Sequence, residues 1–70
     1  MPTKAEVLMT LDQILLMPGG MFTIRQIADE LGLVAHEVAN EIGGILATIP
    51  SVVPAGIGAE VNTDGLWRLI

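Results

Sequence analysis

Phe22 to Leu46 reads FTIRQIADELGLVAHEVANEIGGIL, and this stretch decides the fold. Ile24, Ile27, Ala28 and Leu31 recur at helical spacing and make the inner face of one helix. Thr23 followed by Gln26 is a capping-box pattern, in which hydroxyl and amide satisfy orphan backbone donors reciprocally. Gly32 then suits the left-handed residue that closes a helix. A further helix is predicted from about Ala35 to Ile49, stopped by Pro50. Its inner stripe is Val38, Ile42, Ile45, Leu46 and Ile49, and its opposite stripe is Glu37, Asn40, Glu41, Gly44 and Thr48. Between them lies a column of small residues, Ala39, Gly43 and Ala47. Each mid-helix glycine costs about 1 kcal/mol relative to Ala. Close approach of another backbone would offset that cost, either the first helix of the same chain or a second copy.

Upstream, a first helix is predicted from roughly Lys4 to Leu16, opened by a capping box of Thr3 and Glu6 and ended by Pro18-Gly19-Gly20. Val7, Leu8, Leu11, Ile14 and Leu15 form its main apolar stripe. Ala5, Met9 and Leu16 form a second patch, to be covered by the C-terminal segment or by a second copy of the chain. Met21-Phe22 suits a very short strand. Downstream of Pro50, Ile57 to Val61 and Leu66 to Ile70 read as two strands around the turn Asn62-Thr63-Asp64-Gly65.

The order helix, short strand, helix, helix, hairpin resembles the winged helix-turn-helix superfamily. Ile27-Ala28, Leu31-Gly32-Leu33, Val38 and the closing Gly65-Leu66-Trp67-Arg68-Leu69 carry the resemblance. It covers nearly the whole chain and implies one α+β, mainly α domain over residues 1–70. Two departures stand out. Glu41 occupies a position that is often apolar in this family, which implies a rotated third helix with Ile42 in that role. Leu33-Val34-Ala35 also offers no polar cap where the family often has one. Winged helices bind DNA, RNA or proteins, so the resemblance speaks to fold more than to function.

Charge separates those functions. Three basic residues stand against eight acidic ones, for a net charge of −5. That balance disfavours nucleic acid and anionic membranes, and favours basic partners. In DNA-binding relatives the third helix enters the major groove. Here its outward residues are His36, Glu37, Asn40, Glu41 and Gly44. Asn40 suits adenine and His36 a phosphate, but Glu37 and Glu41 would each meet a phosphate with about 1–3 kcal/mol of repulsion at roughly 6 Å. The expected wing tip, Asn62, Thr63 and Asp64, is acidic as well.

The remaining residues support no catalytic chemistry. No phosphate loop, cysteine nucleophile or ordered Ser–His–acid set is present. His36 has no companion ligands at metal-binding spacing, so no metal, cofactor or small-molecule substrate is expected. Trp67 is read as core, with its indole N–H satisfied at the edge. Arg25 and Arg68 are read as surface cations, with Asp29 and Glu60 as candidate partners.

No signal-peptide pattern opens the chain and no apolar run nears the ~18 residues of a membrane span, so a soluble cytoplasmic protein is expected. Half of the residues, 51%, are apolar, which leaves surplus for a partner surface or homodimer. Two functions follow. One is a non-catalytic module whose acidic third helix docks on a basic protein surface, as a regulator or inhibitor of a nucleic-acid-handling complex would. The alternative is a dimeric DNA-binding transcriptional regulator that uses the same helix for recognition. On either reading Ala5, Met9, Leu16, Ala39, Gly43 and Ala47 are the candidate dimer residues.

Overall fold

Local capping starts two of the three helices where the sequence predicts. The Thr3 hydroxyl accepts the Glu6 backbone N–H at 3.2 Å, and the Glu6 carboxylate accepts the Thr3 N–H at 2.9 Å. Thr23 and Gln26 make the same exchange at 3.2 and 2.9 Å. In the computed structural model, which describes residues 1–70, these boxes open α1 (Lys4–Leu11) and α2 (Ile24–Glu30). The first helix therefore ends before the expected Leu16. Gln26 Nε2 donates to the Leu15 carbonyl at 2.9 Å, and Met17 bridges to Met21 across the Pro18-Gly19-Gly20 turn. Both contacts tie residues 15–17 to α2 and to the start of the first strand. Leu15, expected on the inner stripe, is left exposed, and Leu8 is partly so.

α2 closes in a Schellman motif. The Leu33 N–H reaches the Ala28 carbonyl at 2.8 Å and the Gly32 N–H reaches Asp29 at 3.1 Å, with Gly32 at φ +73°. Two residues later α3 (Ala35–Leu46) begins. Val34 occupies its cap position and makes no side-chain cap bond, as the apolar Leu33-Val34-Ala35 run implies. The helix ends three residues short of the predicted Ile49. Thr48 and Ile49 donate instead to Ile45 and Leu46, a tightened final turn.

β1 (Met21–Thr23), β2 (Val52–Pro54) and β3 (Leu66–Leu69) form an antiparallel sheet in the order β1-β3-β2. Phe22 lies opposite Trp67, and Pro54 opposes the same tryptophan from the other side. The β2 register corrects the expected hairpin. The partner of β3 is Val52–Pro54, not Ile57 to Val61. The latter stretch coils into a turn, with Val61 and Asn62 both donating to the Gly58 carbonyl. A strand there would place Ile57, Ala59 and Val61 on one face; the turn instead buries Ala59 completely and leaves Ile57 and Val61 exposed.

That core is aliphatic around two aromatics. Val7, Ile24, Ile27, Ile42 and Leu46 from the three helices meet Phe22 and Trp67 from the sheet, all fully buried. Three helices and a three-stranded antiparallel sheet make an α+β fold, compatible with a winged-helix-like layout.

Gly43 explains one of the two mid-helix glycines. A Cβ built there would overlap the Glu60 carbonyl oxygen, so the turn from residue 57 to 61 lies directly against α3. The approaching backbone is neither α1 nor a second copy. Ala39 and Gly43 are both buried within the chain, which removes them as dimer candidates. Gly44 faces open space. Gly43→Ala is expected to destabilise the fold by about 1–3 kcal/mol through overpacking. Gly44→Ala is expected to stabilise it by up to about 1 kcal/mol through helix propensity. Urea denaturation of the two variants beside the parent checks the opposite signs.

Candidate functional site

The outer face of α3 follows from the rotation of the helix. Ala35, Ala39, Ile42 and Leu46 point inward, so His36, Glu37, Asn40 and Gly44 are exposed on the other side. Glu41 does not join them fully. It stands three residues after Val38 and four before Ile45, and both of those pack against the core. One carboxylate oxygen, Oε2, is buried without a hydrogen-bond partner. The expected stripe of two solvated glutamates is corrected to one exposed glutamate, Glu37, and one half-buried acid at the edge of the face. Glu37 lies in the first turn, where the helix dipole favours a negative charge. The orphan oxygen of Glu41 lacks the donor that a buried carboxylate ordinarily requires.

The segment expected as the wing tip is folded back on the body. Arg25 Nε donates to Asp64 Oδ1 at 2.8 Å, its Nη2 donates to the Thr63 hydroxyl at 3.1 Å, and its backbone N–H donates to the Thr63 carbonyl at 3.0 Å. Asn62 Oδ1 accepts the Asp64 N–H at 3.0 Å. Asn62, Thr63 and Asp64 thus form a clasp onto the start of α2 and not a free acidic tip. The apolar Ile57 and Val61 stand outermost instead, with Ile57 fully exposed.

Arg25 is the one basic side chain in an ion pair, and its partner is Asp64, 39 positions away, where Asp29 was expected. Lys4 and Arg68 are exposed without ion partners, Arg68 included although Glu60 was its candidate. The guanidinium hydrogen bond holds the Asp64 carboxyl below the usual carboxylate range, and the same bond raises Arg25 further.

Glu60 is a residue that sequence reasoning missed. Its carbonyl sits on Gly43, one helical turn from Asn40 and Ala47, and the residue is exposed. Glu60 therefore borders α3 on its Gly43 side, about 120–160° around the helix from Glu37 and Glu41. The sequence signal was Gly43 itself, which announced a close backbone without naming it. Trp67 conforms to expectation: it is fully buried, and its indole N–H donates to the Ala59 carbonyl at 3.0 Å.

Of the other candidate residues, Ala5, Met9 and Ala47 are exposed, whereas Leu16 packs partly against the core of its own chain. No three His, Asp or Glu side chains converge as a metal-binding group. An open recess lies between α2 and the loop after α1, bordered by Gln13, Ile14, Leu15, Gln26, Asp29 and Glu30. No helix is long and apolar enough to cross a membrane.

The clasp has a pH signature. Because the folded state lowers the Asp64 pKa, the pair stabilises the fold above the ordinary carboxylate value of 3.8 and loses that contribution as pH falls below it. Asp64→Asn is expected to lower Tm slightly at neutral pH, since both partners are largely exposed (50% and 68%) and screened by solvent. The gap between variant and parent is expected to close below the carboxylate range. Thermal melts across the acid limb check both points.

No family model, curated protein or solved structure matches this chain.

Proposed function

We propose that the chain is a small non-catalytic winged helix-turn-helix protein that binds a protein partner through the outer face of α3. The partner presents a basic surface, as proteins that handle nucleic acid do. The protein then acts as a regulator or inhibitor of such a complex. The carrying observation is the charge on α3. The face bears Glu37, with Glu41 at its edge and Glu60 beside it, and has no Lys or Arg. Arg25 is already engaged by Asp64.

Physical chemistry supports this reading in two ways. Negative potential on a rigid helix steers a basic partner into register. A donor from the partner that reached Glu41 Oε2 would also supply a hydrogen bond that the free protein lacks. A DNA-binding regulator is supported less well. Phosphate contacts supply most of the attraction in such complexes, and only Lys4 and Arg68 remain free of ion pairs.

Titration of isotopically labelled protein with an arginine-rich peptide tests the proposal. Amide shifts are expected at His36, Glu37, Asn40, Gly44 and Glu60. Glu37→Gln combined with Glu60→Gln is expected to weaken the peptide about tenfold, the equivalent of ~1.4 kcal/mol. Random duplex DNA at about 50 mM salt is expected to show no retardation. Shifts confined to the acids of α1 or of the Asp29-Glu30 recess would overturn the assignment of the face. Duplex binding that weakens steeply with salt would move the function to DNA.

A further inference from the structure

α1 buries one side only. Val7, Thr10 and Leu11 face the core, while Ala5, Leu8, Met9 and Asp12 share an arc of about 100° on the opposite side. Leu8 is 43% exposed and Met9 62%. This is an apolar helix face with no cover from the chain itself.

The charges at its two ends are reversed with respect to the helix dipole. Lys4 is the first residue of α1 and Asp12 is its C-cap. A cation is disfavoured at an N-terminus and an anion at a C-terminus. Glu6 already supplies the acid that the first turn favours, and the last turn contains no basic residue. Neither Lys4 nor Asp12 has an ion partner within the chain.

One arrangement relieves both charges and covers the face. We propose that α1 pairs antiparallel with α1 of a second copy, about a two-fold axis near Leu8, so that Lys4 of each copy meets Asp12 of the other. Lys4 and Asp12 stand four residues to either side of Leu8, which is the spacing that an isologous antiparallel pair requires. Each Lys4 then sits at the negative end of the neighbouring helix, and each Asp12 at its positive end. Ala5 of each copy leaves room for the flexible Met9 of the other. The helix is only about 12 Å long at 1.5 Å per residue, so the interface is small and the association depends on concentration. No residue of α3 takes part, so failure of this pairing leaves the α3 reading standing, and the reverse also holds.

Sedimentation equilibrium of the full chain from micromolar to millimolar concentration tests the pairing. A reversible dimer of the 7.4 kDa chain is expected. Lys4→Glu and Asp12→Lys, each alone, are expected to weaken it by about tenfold or more, because each converts two symmetric attractions into repulsions. The same single changes improve the match to the dipole within one helix, so melts of the dilute monomer are expected to show no loss of stability. The double variant is expected to restore dimerisation. A 7.4 kDa species at every concentration would overturn the proposal. So would a dimer whose affinity ignores both substitutions.

Discussion

The packing of the residue 57–61 turn against Gly43 is the constraint on which the rest depends. Two glycines admit this turn. Gly43 accepts the Glu60 carbonyl from one side, and Gly65 lies so close to the Ala59 Cα that an added Cβ would stand 2.6 Å away. With the turn seated, Ala59 fills the core and its carbonyl receives the Trp67 indole N–H. With the turn displaced, the tryptophan would lose its hydrogen-bond acceptor and part of its cover together. Burial of an aromatic of this size contributes more than the ~1 kcal/mol that Gly43 costs the helix. A domain of this length has little other surface to draw on. The Arg25–Asp64 clasp lies farther along the same loop, but it is exposed and therefore secondary.

What was legible in the sequence was local. The capping boxes at Thr3 and Thr23 and the helix stop at Gly32 operate within four or five residues, and a short stretch of sequence contains all of their partners. The inner faces of α2 and α3 were readable for the same reason, since their period is intrinsic to the helix. The errors lie where distant partners decide. α1 stops at Leu11, and the Leu15 carbonyl beyond it is taken up by the side chain of Gln26, eleven positions downstream. Asn62-Thr63-Asp64-Gly65 has hairpin-turn chemistry, yet β3 pairs with Val52–Pro54, and the stretch from Ile57 to Val61 turns instead against Gly43 of α3, a contact that local sequence does not contain. Arg25 prefers an acid 39 residues away over one four residues away.

The candidate site shows the same division. Its sign was readable, because charge belongs to the residue and survives any rotation of the helix. Its composition was not. A small turn of α3 places Glu41 beside Val38 and Ile45, which leaves Glu37 as the solvated member of the pair. Glu60 borders the helix through a backbone contact that the sequence marked only by an unexplained glycine. A mid-helix glycine is thus a useful sign of a neighbour, although its partner must come from the fold. Gly44, equally costly and facing nothing in the chain, has no such account within the protomer.

Charge economy links the fold to the proposed function. The chain has three cations, and one of them is held inside the loop clasp. That use secures the loop, and it also withdraws Arg25 from the surface around the start of α2. A DNA-binding protein would need free cations at its surface, since phosphate attraction scales with the number of free basic groups. The acid that neutralises Arg25, Asp64, comes from the loop that precedes β3. One ion pair therefore consumes a potential phosphate contact. The negative face of α3 is left without a compensating cation from Arg25.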